Sequence, residues 1–557
     1  MELDAITKLR RFCFLGSFEP VYVHLDGNVK IGYYWPLIKE MCKEISVEAM
    51  ISLFKEVLVE SDNLVRRDEP IFVYASYLAA DVDTKQKTGM RLAFTCLICS
   101  DNDLFLFCKY AILIAKEQNR KGFSKTVRKA ITCWYETRPA EKLQDMWLKH
   151  RGQHGFTHKS LLKLCHISDA KISGSTVPFF KTCTELVEDS KAKSSVNANE
   201  LNATTERTNS NPTQEQIDFK KKRVFKINST TAQTILDVAK LRTITNKKEA
   251  LNIIRSNRLR YDQVPTHFLK SASIMEVLIP SMTYLQLIKN WRRLAQSKLL
   301  QDPKIMQACE RMLSNRKLQR KIQPINFLIN MRRMGIRGDI TRLSPKRVEN
   351  MKMKYIQDLY QNLFTLTPDK SLTDLRMHIT INLQASYKIK FLRNHKKLSF
   401  YDAAIALAFG YFKREQHVDV FHWFHGNTRL ERIAWCKTMD IKKAIACCDN
   451  IQNIKNSQRL VIPLTEALHS DQIYDVFLCI VPNAGRGNPN QKSDHLCMQL
   501  DKYRLKSPKA KFIVLDLLKY RRSMHYSQTR KENILEICGL DEHTTDIIHN
   551  FITHRFD

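Results

Sequence analysis

Between Pro36 and Ala115, apolar residues recur at three- and four-residue intervals in short blocks separated by Asp-, Asn- and Ser-containing joints. That period is one face of an α-helix. The blocks predict helices over Pro36–Lys43, Val47–Val59, Pro70–Ala80, Gln86–Ile98 and Asp103–Ala115, with Ser46 placed to cap the second. Short antiparallel helical hairpins in succession are the pattern of an α-solenoid, although no strict repeat period is present. Helical texture continues over Thr126–Glu136 and Ala140–Arg151, crosses a Gly-containing turn, and reopens from Thr157 through Leu164. It returns from Thr231 to about Leu366.

Two stretches break the helical period. Val21–Tyr34 reads as strand-like, with Asp26-Gly27 able to close a small hairpin. Glu185–Asp218 is rich in Ser, Asn, Thr, Lys and Glu and poor in large apolar residues, the composition of a low-complexity insertion. After Asp369 the pattern changes. Met377–Gln384, Val418–Phe424, Tyr474–Val481 and Lys511–Leu517 are short apolar or alternating runs. Helical stretches over Ser399–Arg414, Ile441–Asn453, Asp494–Leu505 and Lys531–Leu540 lie among them. Strands alternating with helices indicate an α/β domain with a mainly parallel sheet. The chain is therefore expected to be mainly α, with a helical-repeat domain over 1–368, carrying the 185–218 insertion, and an α/β domain over 369–557.

Charge sharpens this picture. The 557 residues carry a formal net charge of +33, with a pI near 9.6. An excess of that size favours a polyanionic partner. The cations are spread over many segments instead of one amphipathic helix, which favours nucleic acid over a membrane surface. Met1–Arg11 lacks an apolar secretory core, and the apolar run Leu104–Ala115 is short and carries Lys109, so neither a signal peptide nor a membrane span is expected. The 15 cysteines lack regular spacing, as in a chain of reduced thiols in the cytoplasm, with the nucleus left open. Cys96 and Cys99 form a lone CxxC in an apolar run, read as buried core thiols in preference to a zinc site.

The candidate chemistry concentrates in Arg120–Ile167. Arg128, Lys129, Lys149, His150, Arg151, His154, His158, Lys159 and Lys163 cluster at the helix junctions, interleaved with Phe123, Trp134, Tyr135, Trp147 and Phe156. Cations among aromatics suit phosphate contact with base stacking, and equally a solvated basic face over an aromatic core. A second basic run, Lys289–Arg347, includes Arg292, Arg293, Arg316, Lys317, Arg320, Lys321, Arg332, Arg333, Arg337 and Arg342 with few acids. A solvated face normally mixes signs, so this run also favours phosphate contact. Arg332-Arg333-Met-Gly-Ile-Arg-Gly reads as a flexible presentation of several cations.

Five segments carry a family resemblance: LRRFCFLGS (Leu9–Ser17), VRKAITCWY (Val127–Tyr135), GFTHKSLLKLCHI (Gly155–Ile167), RLRYDQVPTHFLKS (Arg258–Ser271) and CGLDEHTTDIIHNF (Cys538–Phe551). In this order they resemble the Ro ribonucleoprotein autoantigen (SS-A/Ro) family, whose helical part is the TROVE module. The resemblance implies a ring of HEAT-like helical repeats and a von Willebrand factor A-like domain. It also implies Y RNA on an outer basic surface and misfolded RNA 3′ ends in a central hole. It carries RNA-binding roles onto His158 and Lys159, Arg128 and Lys129, and the nearby Lys149 and Arg151. His158 has a second reading, as a buried helix-cap partner.

In the A-like domain the family's metal motif D-x-S-x-S is matched by Asn382-Leu383-Gln384-Ala385-Ser386. Without a carboxylate, these positions lose the charge that holds a hard cation, so a degenerate, metal-free site is expected. His417, His422 and His425 lack a convincing companion Cys or carboxylate for zinc. No cofactor is implied.

The expected function is non-catalytic binding of small structured noncoding RNA, Y-like or misfolded, by a monomeric protein in a small ribonucleoprotein that serves RNA stability or quality control. The alternative is a protein-interaction scaffold working through the A-like domain. An RNA-processing enzyme would need paired carboxylates, a His pair or a nucleotide-binding loop at recognisable spacing, and none is found.

Overall fold

The computed structural model describes residues 3–23, 29–60, 66–139, 142–143, 145–146, 152–167, 234, 237–238, 240–320, 322–333, 349, 352–364, 374–424, 429–451, 459–484, 489–519 and 533–556. The chain groups into two compact units, one of residues 1–28, 63–66 and 283–557, the other of residues 29–62 and 67–282. The elements run α1 Ala5–Leu15, β1 Val21–Val23, α2 Ile31–Glu44, α3 Val47–Phe54, α4 Asp68–Ala79, α5 Thr84–Leu97, α6 Asp101–Glu117, α7 Lys125–Glu136, α8 His158–Leu164, α9 Lys247–Ser256 and α10 Ala272–Leu278. They continue with α11 Tyr284–Gln296, α12 Pro303–Leu313, α13 Arg316–Arg320, α14 Pro324–Arg333, α15 Met353–Leu363, β2 Met377–Ile381, α16 Phe400–Arg414, β3 Val418–Phe424, β4 Arg429–Arg432 and α17 Ile441–Asp449. The last are α18 Ile462–His469, β5 Val476–Val481, α19 Pro489–Arg504, β6 Lys511–Asp516, β7 Ile534–Cys538 and α20 Thr544–Ile552.

In the unit that holds α2–α10, alternate helices pack together: α2 on α4 and α4 on α6, with α3 on α5 and α5 on α7. This is the two-layered stacking of helical hairpins that the periodicity predicts. The joints act as caps because their side chains accept the orphan amides of the first turn. Ser46 takes Ala49 N–H, Asp83 takes Lys85 N–H, Ser100 takes Asp103 N–H and Ser124 takes Val127 N–H. Tyr74, Phe94, Phe107 and Phe54 meet in the core, with ring centroids 4.7 to 6.0 Å apart. A part-buried ion pair ties the start of α4 to α6: Arg67 donates to both Asp103 oxygens, at 2.6 and 2.9 Å.

The other unit contains a seven-stranded sheet of order β1-β7-β6-β5-β2-β3-β4, parallel except where β4 runs against β3. Its central strands are buried along their whole length, as a sheet covered on both faces requires. Lys511, 2% exposed, escapes isolation by donating to the Phe551 carbonyl at 2.6 Å, with its ammonium over the Phe551 ring.

Two expectations are corrected here. The predicted helix over Lys531–Leu540 is not found in its described part: Ile534–Cys538 is β7, fully buried and paired with β6 and β1, and Lys531 and Glu532 lie outside the described residues. A run of five apolar or β-compatible residues cannot be told from a helix segment by periodicity, and sheet pairing decides it. Val21–Tyr34 forms no hairpin across its whole length, because Val21–Val23 pairs in parallel with β7 and Ile31 already opens α2. The Asp26-Gly27 turn lies outside the described residues.

Histidine 378 in β2 is 3% exposed, stacked on Phe421 at 4.3 Å and bonded to the Thr380 hydroxyl at 3.2 Å. Burial depresses its pKa to about 3. The folded state therefore holds the ring neutral, and stability is present above the unfolded value near 6.5 and lost as pH falls below it. Lowering pH from about 7.5 to about 5.5 should remove on the order of 1 kcal/mol through this residue alone. His378→Phe should reduce that pH dependence in denaturant titrations at the two pH values.

Candidate nucleic-acid interface

The stretch Lys125–Leu164 is built around a polar junction in the core. The buried face of α7 carries Val127, Ala130, Ile131, Trp134 and Tyr135. Lys125, Arg128 and Lys129, at i, i+3 and i+4, fall on the opposite face. Arg128 is half-buried, while Lys125 and Lys129 are exposed. In α8 the i, i+4 pair Lys159 and Lys163 likewise shares a face, with Lys163 exposed and Lys159 half-buried.

The turn that enters α8 is dictated locally. Gln153 and Phe156 exchange both backbone hydrogen bonds at 2.9 Å. The two residues between them, His154 and Gly155, have φ of 53° and 83°. Two successive positive φ values are those of a type I′ turn. At Gly152, φ is 142° and an added Cβ would lie 2.4 Å from the Phe156 carbonyl oxygen, so only glycine fits. Thr157 then starts α8 with a reciprocal capping box to Ser160.

His158, the first residue of α8, is 2% exposed. Its Nδ1 lies 2.8 Å from the Tyr135 hydroxyl and its Nε2 3.9 Å from Asp101 Oδ2, and its ring packs on Phe105 at 4.9 Å. Burial, with Cys108, Cys165 and Asp101 adding to it, pushes the Tyr135 phenol well above its ordinary pKa, so it remains a neutral hydroxyl. Beside it, Arg138 lies over the Trp134 ring at 3.8 Å and donates to the carbonyls of Trp134, Thr95 and Ile98. Burial lowers its pKa to about 10, which leaves it charged at neutral pH against the carbonyl end of α5. Asp101, Tyr135, His158 and Arg138 thus join α5, α6, α7 and α8 from the inside. A ring this deeply covered offers no edge to a partner; what it can do is fix where α8 and its lysines stand. The sequence held no signal for this junction, since its members are spread over residues 101–158 and meet only through helix packing.

Among the described residues, no carboxylate lies within ion-pair distance of Arg120, Lys121, Lys125, Arg128, Lys129 or Lys163. Lys149 and Arg151 lie outside the described residues, as do Lys321, Arg337 and Arg342. In the second basic run, Arg292, Arg316 and Lys317 are exposed and Arg293 is half-buried. Arg332 is engaged inside its own unit: its guanidinium meets Asp402 Oδ2 at 2.9 Å and holds α14 to α16. Arg333 ends α14, and nothing is described of its side chain.

At the end of β2, Asn382 is buried and its Oδ1 accepts the Gln384 N–H at 3.2 Å, while Gln384 is half-buried and Ser386 exposed. Asp516, at the end of β6, accepts backbone N–H groups from Ala484 at 2.7 Å and Lys519 at 3.3 Å. Among the described residues no three His, Cys, Asp or Glu side chains converge as metal ligands would. His422 is buried with Nε2 3.6 Å from Glu431, His417 is exposed, and His425 lies outside the described residues. Cys96 and Cys99 are exposed, which corrects their reading as core thiols: at the end of α5 the intervening Leu97 and Ile98 take the buried side and leave the two cysteines on the outer one. No described helix is long and apolar enough to cross a membrane.

The helical stack and the parallel sheet find their counterparts among known proteins. A family model described as the TROVE domain matches residues 35–409, well over half of the chain. The chain belongs to the TROVE family. A second model, the Ro60 vWA domain, matches residues 376–552 of this TROVE protein. The RNA-binding protein RO60 of Caenorhabditis elegans is 21% identical over 595 aligned residues, which span 99% of this chain and 88% of that one. The crystal structure of the Ro (RSR) protein of Deinococcus radiodurans superposes with a TM-score of 0.72 at 15% identity, covering 99% of this chain and all of that one. At that identity the likeness speaks for the fold.

Tyr135→Phe removes one hydroxyl from the junction and leaves the surface cations in place. It should cost about 1–3 kcal/mol of unfolding free energy, the penalty for taking a partner from a buried polar group. Chemical denaturation measures it.

Proposed function

We propose that this TROVE protein is a non-catalytic RNA-binding protein of a small ribonucleoprotein, holding structured noncoding RNA against the exposed face of α7 and α8. The observation that carries this reading is the set of cations Lys125, Arg128, Lys129 and Lys163, on two adjoining helices, with no described carboxylate within ion-pair distance. Among the described residues no carboxylate pairs with them, which leaves them to an anionic partner. Phosphates fill that role while releasing condensed counterions; Trp134 and Tyr135, fully buried on the core side of α7, offer no stacking face. The Caenorhabditis elegans relative is an RNA-binding protein, which supports the same class of partner.

Within this reading, Y-like RNAs and the 3′ ends of misfolded small RNAs are the partners, and the role is their stability or quality control. Arg128, Lys129, Lys163 and Lys159 contact phosphates, Lys149 and Arg151 extend the same basic stretch, and Arg292, Arg293 and Arg333 belong to a second basic surface. Arg332 is a lesser member, because Asp402 already neutralises it. His158 acts through position: it holds α8 in place from beneath. The protein works as a monomer, in the cytoplasm or nucleus.

Affinity for a Y-like RNA should fall roughly 30-fold or more between about 50 and 200 mM salt, the dependence of several phosphate contacts. Arg128→Ala/Lys129→Ala should weaken binding roughly tenfold with an unchanged melting temperature. His158→Ser should lower affinity and stability together. Electrophoretic mobility shift and thermal unfolding of the same samples decide it; a flat salt dependence, or normal binding by the Arg128/Lys129 double variant, would overturn the assignment.

A further inference from the structure

Beyond the end of β2 the chain runs from Asn382 to Ser399 before α16 begins. The strand order reverses at β2, which has β3 on one side and β5 on the other. In open α/β sheets the crevice outside the strand ends at such a reversal is where ligands bind. From Asn382 to Tyr401 there is no Asp or Glu, whereas Lys388, Lys390, Arg393, Lys396 and Lys397 bring five cations.

The loop is firmly anchored. Leu392 and Leu398 are fully buried, and Leu392 N–H donates to the Leu398 carbonyl at 2.9 Å. Phe400 N–H donates to the Lys390 carbonyl at 2.8 Å, and His395 Nε2 lies 3.1 Å from the Leu540 carbonyl. These anchors leave Ile389 and Phe391 outside, 77% and 53% exposed. Lys388 meets Asp449 at 2.6 Å. Lys396 and Lys397 have no carboxylate within ion-pair distance among the described residues. A fixed loop that shows an aromatic side chain amid cations has the two components of a single-strand site: a face for a base and charges for its backbone. A duplex keeps its bases stacked and cannot use the aromatic face.

We propose that Lys388–Lys397 is a second RNA-binding surface that takes unpaired, single-stranded RNA, with Phe391 as the stacking platform and Lys396 and Lys397 on the phosphates. This rests on the chain being an RNA-binding protein, and it adds a site on the sheet-containing unit. A fluorescein-labelled oligouridine and a labelled blunt-ended RNA hairpin, titrated by anisotropy against the full chain, test it. Phe391→Ala should weaken oligouridine binding roughly five- to hundredfold, the range for loss of one base–aromatic stack. Lys396→Glu/Lys397→Glu should weaken it further, with hairpin affinity and melting temperature unchanged in both variants. If both variants bind oligouridine as the parent does while Arg128→Ala/Lys129→Ala loses the hairpin, the loop proposal fails and the helical site stands. If the parent binds neither RNA, both readings fall. If the loop variants instead lose a polyglutamate peptide or anionic phospholipid vesicles while keeping oligouridine, the surface serves another partner and the proposal is wrong.

Discussion

A chain with 90 basic and 57 acidic residues cannot neutralise itself, and where it places its carboxylates decides what the surface becomes. Many of the best-placed ones hold elements together. Asp103 receives Arg67 between α4 and α6, Asp402 receives Arg332 between α14 and α16, and Glu542 receives Lys289 of α11. In the first two of these pairs one partner is buried or nearly so, where charge attraction is less screened than in open water; the Lys289 pair is exposed. The consequence appears elsewhere: Lys125, Arg128, Lys129 and Lys163 remain without acidic neighbours among the described residues. Mutual repulsion of these cations is a standing cost to the folded state, and a polyanion relieves it. The lack of carboxylates beside these four cations among the described residues is the physical ground of the proposed surface.

The interior of the helical unit serves that surface. Asp101, Tyr135, His158 and Arg138 are polar groups in a core that otherwise packs Trp134, Phe105 and Phe94. Polar groups at such depth are costly unless partnered, and partnered they select one arrangement of the helices over its neighbours. Apolar packing would hold α7 and α8 together about as strongly, but with more freedom to slide. With the Gly152–Phe156 turn setting the approach and the Thr157 cap setting the start, α8 has one register, and so do Lys159 and Lys163.

How far this could be read beforehand depends on how local each feature is. Ser46 was legible as a cap, and Thr157 and Ser399 as the starts of helical stretches, because a helix start needs only residues within one turn. The strand β7 was misread because Ile534–Cys538 suits either element, and the choice is made by β6 and β1, the latter more than five hundred residues away. Charge runs gave the basic surfaces but not their fate: nothing in the sequence around Arg332 announces Asp402, seventy residues on. His158 shows the same limit. The sequence left two readings open, an RNA contact and a buried helix-cap partner, and the choice of the buried one is made by Tyr135 and Asp101, contacts that only the packed helices create.

The end of β2 shows how one fold position can change chemistry while keeping its use. A crevice at a strand-order reversal collects backbone groups and loop tips whatever the side chains are. Where carboxylates line it, a hard cation can bridge to an acidic partner. Here the loop positions are Asn382, Gln384 and Ser386, and the next stretch carries only positive charge. The loop's own residues from Asn382 to Tyr401 offer a cation no carboxylate, whereas Lys396 and Lys397 have no described carboxylate partner and suit an anion. The exposed Phe391 and Ile389 point to the same conclusion from another side. Apolar side chains held in water on an anchored loop gain free energy when covered, and a base laid on Phe391 brings its own phosphate to the lysines beside it.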